Sequence, residues 1–214
     1  MSIIQHNNTE HCPLCNNHGE RFHKDQFYRC KNCRGIFKAS SLLPNPTEEK
    51  EKYDLHNNDV TDVRYQQFVS PITNAVQENY SPNSIGLDFG SGPGPVISKV
   101  LGDKGYTLKQ FDPFFSNDPK VLEAKYDYIV CCEVIEHFHS PAKEFDLLIN
   151  MLKPNGRLFC MTHLYSEDID FNAWYYKNDP THVFFYHPIT LQKIKDKHAF
   201  SSLTIDDRLI TFQY

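Results

Sequence analysis

The chain has 214 residues, of which 40% are hydrophobic, and a formal net charge of −5 at neutral pH. That length can bury one sizeable core with a small module beside it, and the acidic balance gives no overall attraction to nucleic acid. No run of eighteen apolar residues could span a membrane, and Met1 to His6 lacks the basic-then-apolar order of a secretion signal, so a soluble, cytoplasmic protein is expected.

Cysteine organises the first forty residues. Cys12-Pro13-Leu14-Cys15 and Cys30-Lys31-Asn32-Cys33 are two C-x-x-C pairs with residues 16–29 between them. Four thiolates complete a tetrahedral Zn²⁺ shell, so the metal is expected to be structural, with no open position for chemistry. Phe22, Phe27 and Tyr28 suit a small hairpin between the two knuckles. So short a segment buries too little surface to fold alone, and bound zinc contributes about 10 to 16 kcal/mol to such units. The alternative, two disulfides or free thiols, is disfavoured in a reducing compartment. His11, His18 and His23 read as exposed loop residues, and residues 1–40 are assigned to a zinc-ribbon-like module.

Residues 41–52 read as a solvated linker, rich in proline and charge, that turns helical after Thr47. In residues 53–80, Tyr65, Phe68, Val69, Ile72 and Val76 fall on one helical face, interrupted at Pro71. Ile85, Leu87 and Phe89 then suit a buried strand. It runs into Asp88-Phe89-Gly90-Ser91-Gly92-Pro93-Gly94-Pro95, with glycine at every second position. Glycine lets the backbone turn sharply and approach a ligand, and the crevice at the carboxyl end of such a strand binds nucleotide-like ligands. The pattern is D-x-G-x-G-x-G; Pro95 stands where a dinucleotide fingerprint needs its last glycine.

Thr107 to Phe111 reads as a second strand with Asp112 at its tip, where a carboxylate can accept from ribose hydroxyls. Tyr126 to Cys132 is an apolar run that continues into Glu133-Val134-Ile135-Glu136-His137. Leu152-Lys153-Pro154-Asn155-Gly156 is a turn into another strand, and Leu203 to Asp206 with Leu209 to Phe212 would close an antiparallel hairpin. Cys131, Cys132 and Cys160 read as small buried hydrophobes.

Taken in order over residues 84–214, these strings resemble the class I S-adenosylmethionine-dependent methyltransferases of the metabolite type. The glycine string is similar to the cofactor motif of that family. Glu133 to His137 is similar to the "EVLEH" end of its fourth strand, and Leu152 to Gly156 to its "LKPGG" turn. The resemblance implies an α/β fold over residues 53–214, with a Rossmann-like, mostly parallel sheet and an antiparallel C-terminal hairpin. One departure stands out: only a short connection fits between Asp112 and Asp127, where relatives place a helix, a third strand and an adenine-reading acid. That strand is expected to be missing or vestigial. Asp118 reads as a loop residue, while Phe114 and Phe115 either wall the adenine or pack in the core.

The resemblance further implies that S-adenosylmethionine is held by Asp88, Gly90, Ser91, Gly92, Gly94, Asp112, Pro113, Phe114, Cys132, Glu133 and Val134, with Asp112 on the ribose. Residues 53–80 would form a helical lid, with Tyr53, His56 and Asn57 facing the pocket. Substrate determinants in this family often follow the fifth strand, which here holds the aromatic block Trp174 to His187. Trp174, Tyr175, Tyr176 and Asp179 are taken from it as substrate contacts, against the plainer reading of an aromatic mini-core. Aromatic faces near a sulfonium cation are worth about 0.5 to 2 kcal/mol. Asp179-Pro180-Thr181-His182-Val183 also resembles a segment of bacterial methyltransferase-like proteins that carry an N-terminal C-x-x-C pair.

The implied chemistry is an in-line displacement on the activated methyl group, to which approach geometry contributes about 7 to 11 kcal/mol. His182, His163 and His137 are the base candidates, because imidazole titrates near neutral pH. Glu133 and Glu136 lie at a helix start, and capping of exposed N–H groups is the plainer role for Glu136. The fourth strand does not end in an "NPPY"-like tetrad, and no Pro-Cys nucleophile pair is present. That leaves O-, C- or ring N-methylation of a small molecule. Two alternatives stay open. One is an RNA methyltransferase contacting RNA through Lys24, Arg29, Lys31 and Arg34 with Phe27 and Tyr28, since some ribosomal RNA guanine methyltransferases also begin with a "CPLC" finger. The other is a non-catalytic cofactor-binding or protein-docking module.

Overall fold

Paired cysteines and short apolar runs shape the first elements of the computed structural model, which describes residues 10–55 and 58–214. β1 (Gly19–His23) and β2 (Phe27–Cys30) form an antiparallel hairpin, and β3 (Ile36–Lys38) pairs with β2. Lys24 and Asp25 take positive φ at the hairpin tip, as a tight turn between twisted strands requires. α1 (Pro46–Asp54) starts on a capping box: Asn45 accepts from the N–H groups of Thr47 and Glu48, and Glu48 reaches back to the Asn45 N–H. Residues 41–52 are therefore largely helical and docked. Glu49 meets His139 at 3.0 Å, and Lys52 meets Asp179 at 3.2 Å.

α2 (Val63–Phe68) and α3 (Ser70–Asn79) follow. Pro71 opens α3, where its missing N–H falls among groups that have no intrahelical partner in any case. The sequence then alternates strand and helix through β4 (Ile85–Phe89), α4 (Val96–Gly102), β5 (Thr107–Phe111), β6 (Tyr126–Cys132), α5 (Pro141–Asn150) and β7 (Leu152–Met161). It ends with β8 (Phe184–Phe185), α6 (Pro188–Lys197), β9 (Ser202–Asp206) and β10 (Leu209–Gln213).

Among the described residues the main sheet runs β5-β4-β6-β7-β10-β9. The first four strands are parallel; β10 joins β7 antiparallel and pairs with β9. This is the Rossmann-like sheet with the antiparallel C-terminal hairpin that the sequence predicts. No third strand lies beyond β5 among the described residues. The short connection holds a turn closed between Asp112 and Ser116 and a 3₁₀ turn, Pro119–Glu123, capped by Asp118.

Strand periodicity sorts the core onto two faces. Tyr128 and Val130 of β6 pack with Val69, Ile72 and Val76 ahead of and along α3 and with Ile97 and Leu101 of α4. Ile129 and Cys131 pack on the other side with Phe145 and Leu148 of α5 and Leu191 of α6. That second core continues into the N-terminal module, taking in Cys12, Tyr28, Cys30, Cys33 and Phe37. β8 also completes a four-stranded sheet, β1-β2-β3-β8, in which Phe185 lies opposite Ile36 and Phe184 opposite Phe37. The Thr190 hydroxyl donates to the Cys33 carbonyl at 2.7 Å. Module and main fold thus share a sheet and a core.

Candidate functional site

The site is built at the carboxyl ends of β4, β5 and β6. Beyond β4, Gly90 and Gly92 have φ of +76° and +63°, which L side chains adopt only with strain. Gly90 and Ser91 donate to the Phe111 carbonyl at 2.8 and 3.2 Å, folding the loop over the end of β5. Space is as restrictive as conformation: a Cβ on Gly90 would lie 2.4 Å from Val134, and one on Gly94 would lie 1.9 Å from the Asn58 carbonyl oxygen. The glycine loop is therefore pressed against the turn after β6 on one side and covered by the segment before α2 on the other.

Asp112, directly after β5, is buried. One carboxyl oxygen accepts the Gly92 N–H at 2.9 Å, and the other accepts those of Phe114 and Phe115 at 2.9 and 3.1 Å. Two oxygens offer about four acceptor positions, so capacity remains for a ligand hydroxyl. Pro113 and Phe114 form the turn beside it. Asp88 sits beneath the loop, where one oxygen accepts from the Ser98 hydroxyl at 2.8 Å and its N–H at 3.3 Å. Helix α4 begins after Pro95 with no side-chain cap of its own, and Asp88 supplies that acceptor. Burial pushes Asp88 up to about 6, with the Ser98 hydrogen bonds acting against it. Its place is structural support of the loop.

After β6 and Cys132, Glu133 takes a φ of +52° and its N–H donates to the Met161 carbonyl. One Glu133 oxygen pairs with Arg208, and the other accepts from the Tyr176 hydroxyl at 3.1 Å. The same hydroxyl bonds Glu136 and lies 3.0 Å from the Thr162 hydroxyl. Glu136 is wholly buried, which corrects the expectation that it caps a helix start: its carboxyl group points inward to Tyr176. Burial first, then the neighbouring Glu133 charge, push Glu136 above the usual carboxylate range. Burial also raises Glu133, against the lowering effect of Arg208.

The imidazoles lie around Tyr176. His182 packs on its ring at 4.2 Å between centroids, and His163 packs at 4.9 Å. His137 meets His182 at 4.8 Å. Nδ1 of His137 lies 2.9 Å from the Thr181 carbonyl and 3.1 Å from the Tyr53 hydroxyl. Burial lowers both His182 and His163. Tyr53, in the last turn of α1, packs between His137 at 5.5 Å and Phe114 at 5.6 Å. His56 and Asn57 lie outside the described residues.

The aromatic block divides by role. Tyr176 belongs to the acid network, and the exposed Tyr175 reaches His163 Nε2 at 2.9 Å. Asp179 turns inward to the Thr181 N–H and hydroxyl at 2.9 and 2.6 Å. Trp174 corrects the reading of it as a substrate contact. It is buried among Phe27, Tyr165, Phe171 and Phe185, so the mini-core alternative describes it.

The four cysteine sulfurs of the N-terminal module lie within 4.8 Å of one another, with Cys12 to Cys33 at 3.6 Å and Cys15 to Cys30 at 3.4 Å. These separations are far longer than a disulfide bond of about 2.05 Å. They approach the edge of a Zn–thiolate tetrahedron, about 3.8 Å, so the donor set fits a zinc ion.

A family model described as a methyltransferase domain matches residues 62–203. The chain belongs to this methyltransferase-domain family. Solved structures share its fold at low identity. The *Burkholderia thailandensis* 1,6-didemethyltoxoflavin-N1-methyltransferase, with bound 1,6-didemethyltoxoflavin and S-adenosylhomocysteine, has a TM-score of 0.55 and 13% identity, covering 86% of this chain and 96% of that one. Human N-acetylserotonin methyltransferase in complex with S-adenosylmethionine has a TM-score of 0.54 and 11% identity, covering 80% and 60%. An O-methyltransferase family protein from *Burkholderia thailandensis* has a TM-score of 0.53 and 13% identity, covering 81% and 64%. The chain thus spans less than two thirds of the length of the last two. No curated protein sequence matches it.

In this methyltransferase domain, sequence reasoning missed three residues of the network: Thr162, Arg208 and Asn58. Arg208 lies in the β9–β10 turn beside Asp206 and Asp207, where a charge reads as solvated surface. Thr162 and Asn58 carry no local signal.

Proposed function

We propose that this chain transfers a methyl group from S-adenosylmethionine to a small-molecule acceptor. The reading is carried by a continuous run of contacts around the carboxyl edge of the sheet. It passes from the glycine loop through Asp112, Phe114, Tyr53, His137, His182 and Tyr176 to Glu136 and Glu133, and returns through Val134 to Gly90. On this reading a nucleotide-cradling half and an acid–imidazole half would share the carboxyl edge of the sheet, as a transfer reaction needs.

The bound cofactor would supply a methyl group already activated on sulfur. Gly90, Gly92 and Gly94 would let the backbone approach it, Asp112 would take a ribose hydroxyl, and Phe114 with Tyr53 would form an apolar wall. The glutamates and imidazoles would orient the acceptor and ease removal of its proton; Nδ1 of His182 faces the Tyr176 carbonyl at 2.7 Å, which leaves Nε2 as that ring's electron-pair donor. The cysteines would hold a structural zinc ion, as their closed four-thiolate set suits.

The RNA reading is not favoured by the module's surface. Lys31 pairs with Glu20, Arg34 pairs with Glu167, and Arg29 lies over Phe22 at 5.1 Å. Turnover of labelled S-adenosylmethionine on a panel of hydroxylated and N-heterocyclic metabolites, run beside total RNA, tests the proposal. Label on a small acceptor is the expected result. Label on RNA alone, or cofactor binding with no transfer to any acceptor, would overturn it.

A further inference from the structure

We propose that Glu136, His137 and His182 hold a divalent metal cation at this edge of the sheet, and that the cation binds and activates a hydroxyl group of the methyl acceptor. The inference rests on the methyl-transfer reading and adds the acceptor class to it: an alcohol or phenol.

Three observations converge. One ligand atom from each of the three side chains lies within 4.8 Å of the other two, close to the separation of about 3 to 4 Å between ligands of one cation. Glu136 is 0% exposed, and its Oε2 has no hydrogen-bond partner. A buried carboxyl oxygen in that state calls for a partner, and Arg208 pairs with the neighbouring Glu133. Both imidazoles, finally, are oriented from behind. Nδ1 of His137 faces the Thr181 carbonyl at 2.9 Å, and Nδ1 of His182 faces the Tyr176 carbonyl at 2.7 Å. A carbonyl only accepts, so the His182 proton sits on Nδ1 and Nε2 is that ring's donor atom, while Nδ1 of His137 is shared between the Thr181 carbonyl and the Tyr53 hydroxyl at 3.1 Å. Support of the far nitrogen by a backbone carbonyl is the usual way a ligating histidine is fixed.

Two imidazoles and one carboxylate suit Zn²⁺, Mn²⁺ or Fe²⁺ and leave coordination positions open. This distinguishes the site from the cysteine cluster, whose four thiolates fill the shell of a soft ion. An acceptor hydroxyl on such a position becomes more acidic and releases its proton to solvent. A lone pair of the resulting oxygen forms a bond to the methyl carbon while the carbon–sulfur bond breaks. That electron pair stays on sulfur, so the sulfonium becomes a neutral thioether, and the metal keeps its oxidation state.

The test counts metal in the full chain and in His182→Gln after exchange into Mn²⁺ buffer, by elemental analysis and Mn²⁺ paramagnetic resonance. Wild type is expected to hold one cation beyond that on the cysteines, and His182→Gln to bind Mn²⁺ about 100-fold more weakly. Thermal melting and cysteine-bound metal establish that the variant is folded; if it is not, the half-buried His137→Gln takes its place. No second cation in wild type, or equal Mn²⁺ binding by wild type and a folded variant, would overturn the proposal. S-adenosylhomocysteine titration of the same samples separates the two readings. Binding without a second cation defeats the metal site and leaves methyl transfer standing, whereas no binding with or without Mn²⁺ defeats methyl transfer and the acceptor role together.

Discussion

Asp88 shows how a single side chain holds the glycine loop at a cost in stability. Its carboxyl group is buried against Ser98, and burial pushes it up to about 6. Its unfolded value is the ordinary carboxylate one, about 3.9. A pKa raised on folding favours the folded state fully below the unfolded value and loses that contribution as pH rises through the folded value. Relative to Asp88→Asn, wild type is therefore expected to lose about 3 kcal/mol of stability between about pH 4 and pH 6. Denaturant melts of both proteins across that range check this, and parallel curves would refute it. Asp88, Asp112 and the glycines were legible because they form one short string with a fixed spacing. The burial of Glu136 was not, since its partner Tyr176 arrives from a segment after β7, and no local pattern links the two. Arg208 is the extreme case. Its contact with Glu133 exists only once the C-terminal hairpin has folded back beside β7.

At the scale of elements, α1 couples the segment after the N-terminal module to the carboxyl edge of the sheet. Its capping box fixes the helix start, and its last turn delivers Tyr53 to His137 and Phe114. Asn45→Ala removes the acceptor for two N–H groups and is expected to cost about 1 kcal/mol of local stability. Hydrogen exchange should then quicken within α1 and not in β6; unchanged exchange in α1 would refute the coupling. The strands and helices from β4 to β10 were readable because alternation of strand and helix leaves few ways to bury the pattern. The helix in residues 46–54 was half hidden by its charge, which mimics a linker, though Asn45, Pro46 and Glu48 spell out its start. β8 was missed because a two-residue strand has no periodicity to detect, and its phenylalanines also suited an aromatic substrate wall.

Across the whole molecule, the cysteine cluster is part of the main core and not an appendage. Cys30 and Cys33 pack in one apolar cluster with Phe145, Leu191 and Phe212, and β3 pairs with β8. Removing the proposed zinc ion with a chelator is therefore expected to lower the melting temperature of the entire chain in one transition. Calorimetry that shows the α/β part melting unchanged would contradict this. The central claim, that the glycine loop and Asp112 bind the methyl donor, is tested most directly by isothermal titration of the full chain with S-adenosylhomocysteine. Saturable binding at one ligand per chain, weakened about tenfold or more in a folded Asp112→Ala variant, is the predicted result. No binding by wild type, or equal affinity in the variant, would contradict it.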